Sequence, residues 1–350
     1  MAERTRVLLI IPHLGGGGAE QVAALLARGL SPEKYDLHLA LVTQTGRASF
    51  ELPASLTVHV IGARRVRLAA LPLLRLVRRL RPDVLLSGMA HLNFLVLLLR
   101  PFFPRRTRVL VRQNSTVSSA LAAHRHPSLS GLLYRLLYGS SDGVICQSRA
   151  MAQDLARLGI APETLAVLPN PVDLERIGAA RDAPSLWPET GPHLLAVGRL
   201  AHEKGFDLLL EAFASIHPDF PQARLVIAGE GSQRDALEAQ ANVLGIASAV
   251  HLAGHVDAPC RFFPGATLFV LSSRQEGMPN ALLEAAAGGL PLVALPASGG
   301  VVDLLSGCSG AWLAPSISAS VLAGTLLEAL HAIKPGQRFE YPFFASAASN

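Results

Sequence analysis

The sequence of 350 residues is poor in cysteine: Cys146, Cys260 and Cys308 are odd in number and far apart. With no C-x-x-C pair and no Cys/His cluster, this pattern argues against a disulfide framework or a zinc site and fits a reducing compartment. Charge is scarce too, at 16% of residues against 50% apolar, which argues against disorder. Long apolar runs are missing. The most apolar stretch, Phe94 to Leu99, closes at Arg100 and Pro101, well short of the ~20 residues that span a bilayer. The N-terminus enters a strand pattern directly, without a signal peptide. A cytoplasmic chain is expected, soluble or resting at the inner face of the membrane.

The length suits two domains of ordinary size, each with its own core. Apolar strand patterns lie at 6–11, 37–42, 58–61, 84–86, 109–111 and 144–146, with helical patterns between them. Such alternation implies a parallel, doubly wound α/β sheet. The pattern repeats with strands at 193–197, 225–228, 250–253, 267–271 and 292–295. The reading divides the chain into a first Rossmann-like domain at 1–172, a linker at 173–191, a second Rossmann-like domain at 192–334 and an irregular tail at 335–350.

The net charge of +5 is unevenly placed. Arg64, Arg65, Arg67, Arg75, Arg78, Arg79, Arg81, Arg100, Arg105, Arg106, Arg108 and Arg112 crowd the first third. A basic N-terminal half suits an anionic partner: a membrane surface, a phosphorylated acceptor or nucleic acid. The helix expected over 67–80 is basic and amphipathic, which fits an anionic bilayer and equally an outer helix with solvated arginines.

The sharpest motif is Arg274-Gln275-Glu276-Gly277-Met278-Pro279-Asn280-Ala281-Leu282-Leu283-Glu284, with seven residues between its two carboxylates. The spacing predicts Glu276 on a loop at the carboxyl end of a strand, where open α/β sheets bind ligands, and Glu284 about two turns into the next helix. A helix N-terminus attracts a diphosphate, and the two carboxylates could grip hydroxyls on either side of it. On spacing alone, a loop carboxylate and a solvated helix glutamate fit as well. Gly198-Arg199-Leu200 followed by Glu203-Lys204-Gly205 forms a second block, between a strand and a helix, and Gly15 to Gly18 with Ala19-Glu20 forms a third. In the third, the glycines fit a phosphate cradle or simply a tight turn.

The first two blocks together resemble the E-x7-E and diphosphate-binding motifs of glycosyltransferase family 4, over roughly Val7 to Leu330. The resemblance implies the GT-B fold, two Rossmann-like domains whose parallel sheets face a cleft. It implies a retaining transferase that moves a hexose from a nucleoside diphosphate sugar to a glycan or lipid-linked hydroxyl. By the same likeness Arg199 and Lys204 hold the diphosphate and Glu284 the ribose. Glu276 acts on the sugar, with Gly277, Met278 and Asn280 beside it. Gly229 and Gly254 flank the nucleoside, and Gly16, Gly17 and Glu20 face the cleft and the acceptor. Asn114, in Arg112-Gln113-Asn114-Ser115, stands where relatives carry a histidine or an Arg-Asn pair, which makes it a second catalytic candidate. Pro169-Asn170-Pro171-Val172-Asp173 resembles the family's hinge. The resemblance implies no nicotinamide cofactor and no metal, and the lack of a D-x-D-like pair at a strand end agrees with the latter. A sugar nucleotide and an acceptor are the partners, with peripheral membrane contact and no nucleic acid. The alternatives are a sugar nucleotide epimerase of similar fold, a degenerate sugar-nucleotide-binding protein motivated by the atypical C-terminus, and, resting on Gly15 to Gly18 alone, a dehydrogenase.

Overall fold

The computed structural model describes residues 4–15, 17–43, 51–122, 127–188 and 190–345. The chain forms two compact units, Met1–Pro171 and Val172–Asn350.

Unit 1 carries strands β1 Thr5–Ile11, β2 Tyr35–Leu41, β3 Thr57–Val60, β4 Val84–Ser87, β5 Arg108–Gln113, β6 Gly143–Cys146 and β7 Leu165–Val167. All pair in parallel, in the order β3-β2-β1-β4-β5-β6-β7. Its helices are α1 Gly18–Gly29, α2 Ala70–Leu80, α3 Ala90–Leu99, α4 Val117–Ala122, α5 Pro127–Tyr138 and α6 Arg149–Arg157. Helices on both sheet faces explain why the strands read as continuous apolar runs. Leu8, Ile10, Leu85, Val109 and Val111 pack one face, while Leu9, Ile11, Leu39 and Ala23 of α1 pack the other. The order reverses between β1 and β4, the place where sheets of this type open a ligand crevice. In α2, Pro72 falls in the first turn, where its missing N–H costs nothing, and a 3-10 turn at Val66–Ala69 precedes it.

Unit 2 repeats the scheme with β8 His193–Val197, β9 Arg224–Ala228, β10 Val250–Gly254, β11 Leu268–Leu271, β12 Leu292–Ala294 and β13 Ala311–Leu313. These pair in the order β10-β9-β8-β11-β12-β13, again parallel, with the reversal between β8 and β11. The helices are α7 Leu174–Arg181, α8 Phe206–Ile216, α9 Arg234–Val243, α10 Asn280–Ala287, α11 Val301–Leu305, α12 Ala319–Ala332 and α13 Pro342–Ala345. Leu209, Leu210 and Phe213 of α8 share a core with Leu322 and Leu326 of α12. Each such side chain contributes roughly 1.5–3 kcal/mol by burial.

Two stretches differ from the sequence reading. Residues 173–191, expected as a linker, hold α7, capped by the Asp173 carboxylate on the Arg176 N–H. Ile177, Ala180 and Trp187 are buried with the unit 2 core. Trp187 stacks on His193 and donates Nε1–H to the Phe262 carbonyl at 2.7 Å. An indole needs both an apolar bed and an acceptor, and this one finds them in unit 2. The described part of the tail, expected as irregular, is without regular structure until α13 and packs on the same unit. The Phe339 N–H donates to the Gly289 carbonyl at 2.9 Å, and the Tyr341 hydroxyl lies 2.8 Å from the carbonyls of Leu290 and Gly310. Among the described residues, no helix is long and apolar enough to cross a membrane.

Candidate active site

In unit 2, the loops that leave the carboxyl ends of β8 and β11 meet at the reversal of strand order. Lys204, at the end of the β8 loop, donates from Nζ to Glu276 Oε1 at 2.6 Å, and the Ser273 hydroxyl donates to the same oxygen at 2.6 Å. The Glu276 side chain is only 7% exposed, which makes these charge-assisted bonds strong ones. Residues 72 apart are neighbours because β8 and β11 are neighbouring strands.

Backbone contacts lock the two loops together. The Arg274 N–H donates to the Glu203 carbonyl at 2.9 Å, and the Ser272 hydroxyl to the Lys204 carbonyl at 3.0 Å. Gly205 sits at φ +63, where a Cβ would lie 2.1 Å from the Ser272 carbonyl oxygen, so only glycine fits. Gly299, at φ +100, is constrained likewise against the carbonyls of Glu276 and Gly277, at 2.3 and 2.5 Å. Arg274 clamps Asp207 of α8 with two bonds of 2.7 and 2.5 Å. That clamp holds the Asp207 carboxyl below its ordinary value, against the opposing effect of burial.

The remaining expected donor residues also lie in unit 2. Arg199 is 70% exposed and pairs with Glu203 at 2.6 Å, so its guanidinium reaches into solvent from the same loop. Glu284 is the fifth residue of α10, little more than one turn in and not two, because the helix opens only at Asn280. Its charge is felt at Cys260, whose thiol is pushed up first by burial and further by Glu284. Met278 is buried, and Pro279 precedes the first turn of α10, whose dipole favours an anion at this end. Gly229 and Gly254 pair with each other across the ends of β9 and β10, the Gly229 N–H donating to the Gly254 carbonyl at 2.8 Å.

In unit 1, Gly16 lies outside the described residues. Gly17 precedes α1, and Glu20 in the first turn is 2% exposed, with Oε1 3.3 Å from Nδ1 of His13. His91 lies near enough to be lowered, chiefly by its burial and then by His13. Asn114, just past β5, has both amide atoms hydrogen-bonded: Nδ2 donates to the Gly88 carbonyl, and Oδ1 accepts from Gln147 Nε2 at 2.9 Å. It is held as a positioned polar group at the sheet edge.

Sequence reasoning passed over the roles of Ser273, Glu203, Asp207 and Gly299. Arg274 opens the motif, but what it bonds is set by the fold. No group of three or more His, Cys, Asp or Glu side chains among the described residues could hold a metal ion.

Comparison with known proteins agrees with both units. The family model described as Glycosyltransferase Family 4 matches residues 16–176, and the one described as Glycosyl transferases group 1 matches residues 191–332. The chain is 30% identical over 310 residues to the N-acetylgalactosamine-N,N'-diacetylbacillosaminyl-diphospho-undecaprenol 4-alpha-N-acetylgalactosaminyltransferase of Campylobacter jejuni, covering 85% of this chain and 82% of the relative. It is 31% identical over 162 residues to the lipopolysaccharide core biosynthesis glycosyltransferase LpsE of Rhizobium meliloti, 46% of each chain. Among solved structures, Anabaena HepE in complex with UDP and glucose superposes with a TM-score of 0.74 at 18% identity, over 94% of this chain and 90% of that one. That likeness shows the fold, which is GT-B. The family matches and the Campylobacter relative, spanning most of both chains, show that this chain belongs to glycosyltransferase family 4 and is a glycosyltransferase.

Proposed function

We propose that the chain transfers a hexose from a UDP-sugar, with retention at the anomeric carbon, to a hydroxyl of a lipid-linked or polysaccharide acceptor. The observation that carries this reading is the Lys204–Glu276–Ser273 cluster at the strand-order reversal of unit 2, with Arg199 on the same loop as Lys204 and Glu284 in the helix that follows Glu276. Lys204 and Arg199 supply positive charge against the negative charge that a leaving diphosphate develops, and electrostatic complementarity of this kind is usually the largest contribution to such catalysis. When the diphosphate takes Lys204, the Glu276 carboxylate is released to accept from sugar hydroxyls. In this reading Glu284, little more than one turn into α10, holds the ribose. The proposal includes no metal and no nicotinamide. UDP as the donor's leaving group is supported by the complex of HepE, and a lipid diphosphate acceptor by the name of the Campylobacter relative. That relatives are transferases favours transfer over epimerisation.

Contact of unit 1 with an anionic membrane belongs to the same proposal. Leu73, Leu76 and Val77 of α2 face the core, while Leu68, Leu71, Leu98 and Phe102 are exposed among Arg65, Arg67, Arg75 and Arg105. The test of the reaction is UDP release from UDP-hexoses with and without lipid-diphosphate glycans, with the product's anomeric configuration read by NMR. Acceptor-dependent release with retention supports the reading. Conversion of the donor without acceptor, or an inverted product, overturns it.

A further inference from the structure

Unit 1 holds a buried cation that meets no counterion among the described residues. On β5, alternation sends Val109 and Val111 into one core, and Arg112 to the opposite sheet face, among apolar residues. Arg112 is 3% exposed, and it lines a narrow cavity with Leu9, Ile11, Val22, Leu86 and Asn114. That cavity lies beside β1 and β4, at the reversal of strand order. Nη2 donates to Asn170 Oδ1 at 2.5 Å, whereas Nε and Nη1 have no hydrogen-bond partner among the described residues. No carboxylate among those residues forms an ion pair with it.

Burial lowers the guanidinium only to about 10, so it stays charged at neutral pH. An uncompensated buried charge is strongly destabilising, and a guanidinium matches the geometry of carboxylates and phosphates. We propose that Arg112 is an oxyanion subsite of unit 1, taking a phosphate or carboxylate of the acceptor. In naming that acceptor group it rests on the transfer reading above. The anion's oxygens would accept from Nε–H and Nη1–H, with the apolar walls keeping water from competing.

The test uses the full chain carrying Arg199→Ala and Lys204→Ala, so that unit 2 no longer competes for anions, titrated calorimetrically with inorganic phosphate and with acetate. One site per chain is expected, with affinity falling at least about tenfold in Arg112→Lys, because lysine lacks the planar fork. Asn170→Asp, nearly isosteric, sets a carboxylate on the guanidinium from within. It is expected to abolish anion binding and raise the melting temperature of the ligand-free chain. It also decides the matter if Arg112→Lys fails to fold. Neither anion binding to the doubly substituted chain, or binding that Asn170→Asp leaves intact, overturns the subsite. Displacement of the bound phosphate by UDP would assign the site to the donor and overturn its assignment to the acceptor. Failure of UDP to bind the natural chain strikes the donor reading alone, because the phosphate titration does not depend on it.

Discussion

Lys204→Met should destabilise unit 2 through Glu276. The substitution keeps most of the side chain's length and removes the ammonium 2.6 Å from Oε1. The carboxylate, 7% exposed, is left with the Ser273 hydroxyl as its side-chain donor among the described residues. Breaking a buried pair costs about 3–5 kcal/mol. Lys204 is 23% exposed, so water can enter behind it, and about 2 kcal/mol is the better figure. For a unit of this size that corresponds to a melting shift of about 4–8 °C. The assay is convenient, because the chain's two tryptophans, Trp187 and Trp312, both lie in unit 2, and thermal unfolding followed by their fluorescence reports on that unit. Lys204→Met with Glu276→Gln should recover most of the loss, since no buried charge is then left unpaired. UDP binding should remain lost in both variants. If the single variant melts with the natural chain, or the double variant loses more than the single one, the buried-pair reasoning fails.

Gly205→Ala should cost more than about 1 kcal/mol, since a Cβ at φ +63 meets the Ser272 carbonyl, and denaturant unfolding will measure it. Arg274 holds the Asp207 carboxyl below its ordinary value of 3.8, so that pair's stabilisation is fully present above about pH 4 and is lost as pH falls through the lowered value. Asp207→Asn should therefore flatten the stability profile below pH 4 and leave its shape near neutrality unchanged. Tyr341→Phe should cost about 1 kcal/mol through the hydrogen bond it removes from the backbone carbonyls of Leu290 and Gly310. Leu68→Glu with Leu71→Glu should reduce sedimentation with anionic vesicles while leaving UDP binding intact. Equal sedimentation of both chains would refute membrane contact through this patch.

The parallel sheets were legible in the sequence because strands buried on both faces read as apolar runs with helices between them. Two of the four edge strands, β7 and β13, were not, since each is only three residues long and partly exposed, with no run to see. Glu276 and Lys204 could be nominated from their motifs, but their contact depends on β8 and β11 being neighbours, which local pattern does not encode. The same holds for Arg274 on Asp207 and for Gly299 under the Glu276 loop. The stretch 173–191 looked like a linker because its prolines signal turns. Trp187, the residue that fixes it to unit 2, carries no periodic signal. Arg112 was visible as one basic residue among many and as the start of the Asn114 motif, but its burial, which sets it apart, is a property of the fold.

The central claim is that the loops after β8 and β11 hold a nucleoside diphosphate. Calorimetric titration of the natural chain with UDP, GDP and ADP tests it most directly, alongside Arg199→Ala, Lys204→Ala and Glu284→Ala. One diphosphate, UDP, should bind at one site per chain, and each substitution should weaken it by at least about tenfold, the loss of one charge-assisted contact. Binding that none of the three substitutions alters, or no binding of any diphosphate, would contradict the claim.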